Sequence, residues 1–415
     1  MRLLSHYQRR SNAKIIPMSE MNNMKTPLAR VAIVRAQHYE ISELGTAMTK
    51  SLALIGGLEQ IVGRDTKVFV KINHLPPPSP PERGIVTHPV FTEAVLSLLK
   101  ETGADITVGD DVETEDEDGF MLSGYREMCR RLDVKLVTLR EAGFIARKCE
   151  GTILKEVYIS RLVLESDVII NLPKLKTHSL TLLTGGIKNL YGVIPAGLRR
   201  QYHGDFLNVE DFCRALVDIY SLAQPQLSIM DGIMAMEGEG PGSGKVRHLG
   251  VILASRDTVA LDAIASRIAG LEHNDVLTTR FAAERGLGIA DPVHIEIVGE
   301  RIEAVAASDF KLPTTMSRTL MKRAPRALGR FAVSQISPQP HVRKKNCTAC
   351  EECVKACPTG AVTIPDKKAE INQSTCIRCM CCHEVCRFDA IVPRKPFIGS
   401  VIFGLVNALR KVLKL

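Results

Sequence analysis

Two runs of cysteine with the same internal spacing govern what this chain can fold into. Cys347, Cys350, Cys353 and Cys357 read C-x2-C-x2-C-x3-C, and so do Cys376, Cys379, Cys382 and Cys386, 29 residues further on. The same shift maps Ala361-Val362 onto Ala390-Ile391, the mark of a segment built from two fused halves. Three thiolates at such gaps can wrap three corners of one iron–sulfur cube, while the fourth points the other way and reaches a second cube. The spacing therefore predicts two [4Fe–4S] clusters. One takes Cys347, Cys350, Cys353 and Cys386; the other takes Cys376, Cys379, Cys382 and Cys357. Zinc is the rival, but its four ligands usually come as two pairs across a longer loop, which does not suit two tetrads with a tight triple each.

Cys381 is left over from both sets. It reads as a small buried hydrophobe, or as a thiol able to tune the neighbouring cluster. The second set ends Cys386-Arg387-Phe388, where motifs of this kind usually continue Cys-Pro. Proline pre-sets the turn that follows; Arg387 instead places a positive charge that would raise the potential of a reduced, anionic cluster.

Nine of the twelve cysteines lie between 347 and 386. No stretch of about 18 apolar residues is present to span a membrane, and the first residues lack the apolar core of a secretory signal. A cytoplasmic location is expected, where thiols stay reduced and clustered cysteines mean metal. The net charge of +8 is carried by one segment: residues 301–345 hold ten Lys and Arg against Glu303 and Asp309.

From about residue 30 to 300, β-branched runs alternate with helical stretches. Runs at 31–36, 67–73, 105–111, 134–139, 166–175, 227–233 and 248–255 read as strands; 88–103, 208–223 and 258–270 read as helices. Apolar strands buried on both faces and separated by helices predict an α/β domain with a mainly parallel sheet flanked by helices. A small α+β ferredoxin-like domain follows it.

Ligands of such sheets sit beyond the carboxyl ends of the strands, and those ends are charged here. They supply Lys71 and Asn73, then Asp110 and Asp111, then Lys174, Lys176 and His178, then Asp231 with Glu237 beyond it. Lys188 and Asn189 follow Gly185-Gly186, a predicted helix start whose amides could hold an anion. These residues predict a pocket for a small anionic ligand, with Lys174, Lys176, Lys188, Asn189 and Glu237 binding and His178 or Asp231 moving protons. The competing view is that strand ends are polar anyway and carboxylates often cap helices. The stretch GEGPGSGK lacks the glycine and Ser/Thr of a phosphate loop, and no G-x-G-x-x-G follows the first strand. The glycine-rich loop is expected to form a lid or tight turns, and PPPSPP at 76–81 a stiff loop over the sheet end.

The stretches THPVFTEAVLSLLKETGADITVGDD, INLPKLKTHSLTLLTGGIKNLYGVIP, MDGIMAMEGEGPGSG and LASRDTVALDAIASRIAG resemble the domain-of-unknown-function 362 family, and CIRCMCCHEVC resembles the ferredoxin tail of many of its members. The resemblance implies iron–sulfur clusters and two domains; it names no substrate.

The expected organisation is a disordered leader at 1–29, the α/β domain at 30–300, a basic linker at 301–340, the ferredoxin domain at 341–395 and an amphipathic helix at 396–415. The tail at 397–415 has two uses open to it, packing on the protein or lying at a membrane surface. The function expected is that of an iron–sulfur redox protein passing electrons to a small anionic substrate or cofactor in the α/β domain. The alternative is a non-catalytic carrier or assembly partner of a larger redox complex. An electron donor or acceptor protein is implied; nucleic acid is not, because the basic segment lacks interleaved aromatics.

Overall fold

The structure, a computed structural model, describes residues 29–112, 119–314 and 338–394. The leader, most of the basic linker and the tail lie outside the described residues. In chain order the first part holds β1 (Ala29–Arg35), α1 (Ile41–Leu54), β2 (Lys67–Ile72), α2 (Pro89–Glu101), β3 (Asp105–Asp110), α3 (Tyr125–Leu132) and β4 (Lys135–Thr138). A side hairpin, β5 (Phe144–Lys148) and β6 (Glu156–Ser160), leads to β7 (Val168–Leu172), β8 (Lys174–His178) and β9 (Leu182–Thr184). Helices α4 (Gly186–Asn189), α5 (Ala196–Asp205) and α6 (Val209–Leu222) come next. The domain closes with β10 (Leu227–Glu237), β11 (Lys245–Ser255), α7 (Thr258–Ile268), α8 (Leu277–Glu284) and β12 (Ile295–Gly299).

Ten strands form one sheet, in the order β12-β1-β11-β10-β7-β2-β3-β4, with β8 beside β10 and β9 beside β8. Most pairings are parallel, as the alternating pattern predicts. The antiparallel ones are β1 with β11, β10 with β11, and β8 with β9. The glycine-rich loop is the connection of the long β10–β11 hairpin.

Alternation along each strand sends neighbours to opposite faces. Val68, Val70 and Ile72 face the layer that packs under α1, α2 and α3. Phe69 faces the other layer, with Phe212 of α6, Leu261 of α7 and Phe281 of α8. Ile302, Val305 and Phe310 join that second layer, so the core runs past the last strand into the start of the basic segment. Helix α2 starts where His88-Pro89 predicts: His88 Nδ1 accepts from Val90 N, and proline occupies a first-turn position whose missing N–H costs nothing.

The run at 166–175 is not one strand. Pro173 has no N–H for the ladder and divides it, but its carbonyl accepts from Asp231 N at 2.9 Å. The chain therefore stays on β10 and continues as β8, so 174–178, expected as a loop beyond a strand end, is a fully buried strand.

The C-terminal unit holds β13 (Gln339–Val342), α9 (Glu352–Lys355), β14 (Val362–Thr363), β15 (Glu370–Ile371), α10 (Cys381–Glu384) and β16 (Ile391–Arg394). Strands β13 and β16 pair, as do β14 and β15.

Asp218 on α6 is fully buried and takes four donors: Thr152 N, Ile153 N and Leu154 N at 2.8 Å each and Arg285 Nη1 at 2.7 Å. Removing one partner of a buried, hydrogen-bonded ion pair strands the other. Asp218→Ala is expected to lower stability by about 3–5 kcal/mol. Urea unfolding checks this; a loss near zero would show that the turn at 151–154 is held by something else.

Candidate functional site

The ends of β2, β3 and β8 and the cysteine-rich unit enclose a cavity of about 440 Å³. From the sheet come Lys71, Asn73, Asp110, Lys176 and His178; from the segment after β9 come Lys188, Asn189, Tyr191, Arg199 and His203. The prolines 76–78 form part of the wall. The other side is built by the cysteine-rich unit, through Glu352, Lys355, Cys381, Glu384 and Arg387.

Two buried cations near the cavity are neutralised within the fold. Lys71 Nζ lies 2.8 Å from Asp110 Oδ2, and Asp110 also accepts from His74 N and Asp111 N. Asp111 pairs in turn with Arg199. Lys174 Nζ lies 2.7 Å from Asp231 Oδ2, and Tyr39 Oη bonds to both. Lys176 differs: its Nζ donates to the Ile85 carbonyl at 2.7 Å. Burial first, then the charges of Lys188 and Lys174, push its pKa down to about 7. Burial also lowers Lys188 from the ordinary lysine range.

The histidines are set by their hydrogen bonds. His178 Nδ1 accepts from Leu180 N at 3.0 Å and Thr181 N at 3.4 Å, so in the neutral ring the proton sits on Nε2. Burial, then Lys188, holds its pKa well below the ordinary value. Its Nε2 is 3.4 Å from Glu384 Oε1, and neither atom has a hydrogen-bond partner. Ser123 Oγ donates to Phe120 O and so accepts from His74 Nε2, which leaves His74 Nδ1 a bare acceptor. Arg199 Nε, His203 Nδ1 and Arg387 Nε are also buried without partners.

Of the residues singled out in the sequence, Lys176, His178, Lys188 and Asn189 line the cavity, while Lys174, Asp231 and Glu237 do not. Lys174 and Asp231 face each other across β8 and β10 and are saturated by Tyr39, His88 N and Ile233 N. Glu237 accepts from Lys311 N at 3.1 Å. The helix start at Gly185-Gly186 exists, but its amides are not free: Gly186 N and Ile187 N donate to the buried carboxylate of Asp262. That internal anion takes the place expected for a ligand. Sequence reasoning passed over His74, Tyr191, Arg199 and His203. A basic and aromatic cluster, LRRQYH at 198–203, directly after the Lys188 motif was the available signal.

The cysteines are all free thiols. Cys353 is pushed up to about 12 by burial and then by Cys350, Cys386 and Cys347. Burial raises Cys376, and the nearby thiols of Cys379 and Cys357 raise it further. The thiols of the two runs thus come near one another across the 29-residue repeat: Cys353 near Cys386, Cys376 near Cys357, and Cys382 near both Cys357 and Cys353. The Cys381 thiol donates to the Cys379 sulfur, which lowers Cys379 and raises Cys381.

Three left-handed backbone positions recur at the 29-residue shift: Ala349 and Arg378, Glu351 and Met380, Gly360 and Asp389. Ala361 N donates to Cys357 Sγ and Ala390 N to Cys386 Sγ, both at 3.2 Å. Paired thiol groups with backbone N–H groups turned toward them suit anionic iron–sulfur clusters. Among the described residues no three His, Cys, Asp or Glu close on a single metal ion; the thiols gather at the longer range over which they raise one another's pKa.

A family model described as a domain of unknown function, DUF362, matches residues 68–267, and one described as a 4Fe-4S dicluster domain matches residues 340–387. The thylakoid-associated protein sll1697 of Synechocystis sp. is 32% identical over 290 residues, 69% of this chain and 88% of that protein. Among solved structures, the lactate racemase apoprotein of Thermoanaerobacterium thermosaccharolyticum matches with a TM-score of 0.40 and 11% identity, covering 60% of this chain and 58% of that one.

Burial lowers His74 to about 4 and His203 to about 3. Below the ordinary histidine pKa of about 6.5 the unfolded chain takes up protons that the folded chain refuses, so stability falls on acidification between about 6.5 and 4. At pH 5 each ring is expected to cost about 2 kcal/mol relative to pH 8. Urea midpoints across this range test it, and His203→Phe should flatten the slope; an unchanged slope would show a charged or solvated ring.

Proposed function

This chain belongs to the DUF362 family and carries a 4Fe-4S dicluster domain, and on that premise we propose that it is a redox protein in which two [4Fe–4S] clusters serve a small anionic ligand held in the cavity. One observation carries the reading. The cavity wall is shared between the sheet ends and the cysteine-rich unit, and it includes Cys381, the neighbour in sequence of Cys382 in the second run. Cys347, Cys350, Cys353 and Cys386 would hold one cluster and Cys376, Cys379, Cys382 and Cys357 the other. When bound, such clusters supply single electrons.

The remaining chemistry belongs to side chains. Lys176 and Lys188 attract the ligand's negative charge, and Asn189 is held in place by its bond to Asn171 Oδ1 at 2.8 Å. His178, neutral with its hydrogen fixed on Nε2, is placed to donate a hydrogen bond to the reduced ligand and so to stabilise charge on it. Asp231 has no part in proton transfer in this reading, because its oxygens are engaged by Lys174 and Tyr39; the pair fastens β8 to β10. Glu237 likewise anchors the segment at 311.

The thylakoid association in the relative's name supports a second reading of location, a carrier at a membrane surface in contact with a donor or acceptor protein. No described helix is long and apolar enough to cross a membrane, so such contact would be peripheral, with 397–415 as its candidate segment. Loss of membrane co-sedimentation on removing 396–415 is the expected outcome; unchanged sedimentation would leave the carrier without its anchor.

Anaerobic preparations are expected to contain about eight iron and eight sulfide per chain, and Cys381→Ser to keep them. Cys382→Ser should lose cluster content. Zinc in place of iron, or about four iron in the unaltered chain, would end the two-cluster assignment. Reoxidation of the reduced protein by the small-molecule fraction of its own cells should slow about 100-fold in His178→Gln with iron content unchanged. An equal rate would remove His178 from stabilising the reduced ligand.

A further inference from the structure

We propose that Arg387 and Arg199 together form the seat for a carboxylate or phosphate group of the cavity's ligand, so that the bound ligand bridges the α/β domain and the cysteine-rich unit. The proposal rests on the cavity as the ligand site, and it does not depend on electrons being delivered there.

Both arginines are among the residues that line the cavity, one from each part of the chain. Arg199 is anchored by Asp111 and Arg387 by its own carbonyl, which accepts from Arg83 Nη1 at 2.7 Å. Each nevertheless keeps a buried Nε–H with no partner. Buried donors are normally satisfied, so an orphan donor on each of two arginines that line one cavity asks for an acceptor. A planar guanidinium presents its donors as a fork that matches carboxylate and phosphate oxygens.

The surrounding charges favour the same ligand. Lys176 and Lys188 are close, and the Asp110 carboxylate is already neutralised by Lys71. Glu352 and Glu384 are the opposing carboxylates in the wall; Glu384 stands beside His178 Nε2, so the anionic group belongs at the arginines and the rest of the ligand toward His178. A volume of about 440 Å³ lies in the range of organic-ligand pockets, well beyond what one inorganic ion fills. The sequence supplies an independent pointer. Arg387 stands where the cysteine motif ordinarily continues with proline, so a residue suited to the turn has given way to one that reaches the cavity.

The test uses the full-length, cluster-loaded, oxidised protein with succinate, citrate and pyrophosphate as probes, followed by calorimetry at low salt. At least one probe should bind with one site per chain. Arg387→Pro should weaken it about 10- to 100-fold, with iron, sulfide and the cluster spectrum unchanged, and Arg387→Lys should keep part of the affinity. If no probe binds the unaltered protein, or Arg387→Pro binds as tightly, the proposal falls. Should Arg387→Pro lose iron, Arg387→Gln makes the same comparison. Anion binding without reoxidation of the reduced clusters would overturn the redox reading while leaving the arginine seat in place.

Discussion

The distance of closest approach between the glycine-rich hairpin loop and its neighbours decides whether the cavity exists at all. A Cβ on Gly240 would lie 2.1 Å from the Thr177 carbonyl, and one on Gly242 would lie 2.7 Å from the Glu384 carbonyl. Real Cβ atoms do not come that near backbone oxygen, so both positions need glycine for steric reasons. Through this contact the loop seats β8 on one side and α10 on the other. His383 Nε2 near the Glu239 carbonyl and Arg83 on the carbonyls of Gly242 and Arg387 reinforce the seat. With it in place, Glu384 Oε1 stands 3.4 Å from His178 Nε2, and Cys381 shares the cavity wall with Lys188.

Closing that space has an electrostatic cost, which the fold meets in two ways. Lys71 and Lys174 each have a carboxylate within 2.8 Å, so their charges leave water in company. Pairs of this kind roughly balance desolvation and need not add net stability; what they add here is rigid placement of β2 and β8. Lys176 has only a carbonyl, and the imidazoles stay neutral: at His74 burial outweighs Asp110, and at His178 and His203 burial acts together with nearby cationic groups such as Lys188. The cationic groups that lack a carboxylate contact, Lys176 and Lys188, are thereby gathered in the cavity wall.

Much of this was legible in the residues. The seven strand runs and three helices lie within a few positions of the observed elements, because apolar alternation and capping are local signals. The iron–sulfur character of residues 340–387 followed from the cysteine spacing, and the 4Fe-4S dicluster match agrees with it. The misses share one cause: they depend on which strands meet. Nothing local says that Pro173 divides a strand which resumes on β10, or that Asp231 lies opposite Lys174. The helix start at Gly186 was readable; its occupation by Asp262, 76 residues away, was not. Arg387 was noticed as a departure from a motif, and its charge was assigned to the adjacent cluster because the cavity that it lines is formed by long-range docking.

The crossed grouping of the thiols has a consequence for biosynthesis. Cys353 is gathered with Cys386, and Cys357 with Cys376, so neither quartet is complete until the second run has left the ribosome. By then the whole ten-stranded sheet has been made, and domains generally fold in the order of synthesis. The floor of the cavity is thus available before its roof can form, and iron–sulfur loading becomes the last act of maturation, carried out beside a finished surface. A chain cut short before Cys376 would keep a folded sheet with an open, cation-lined end.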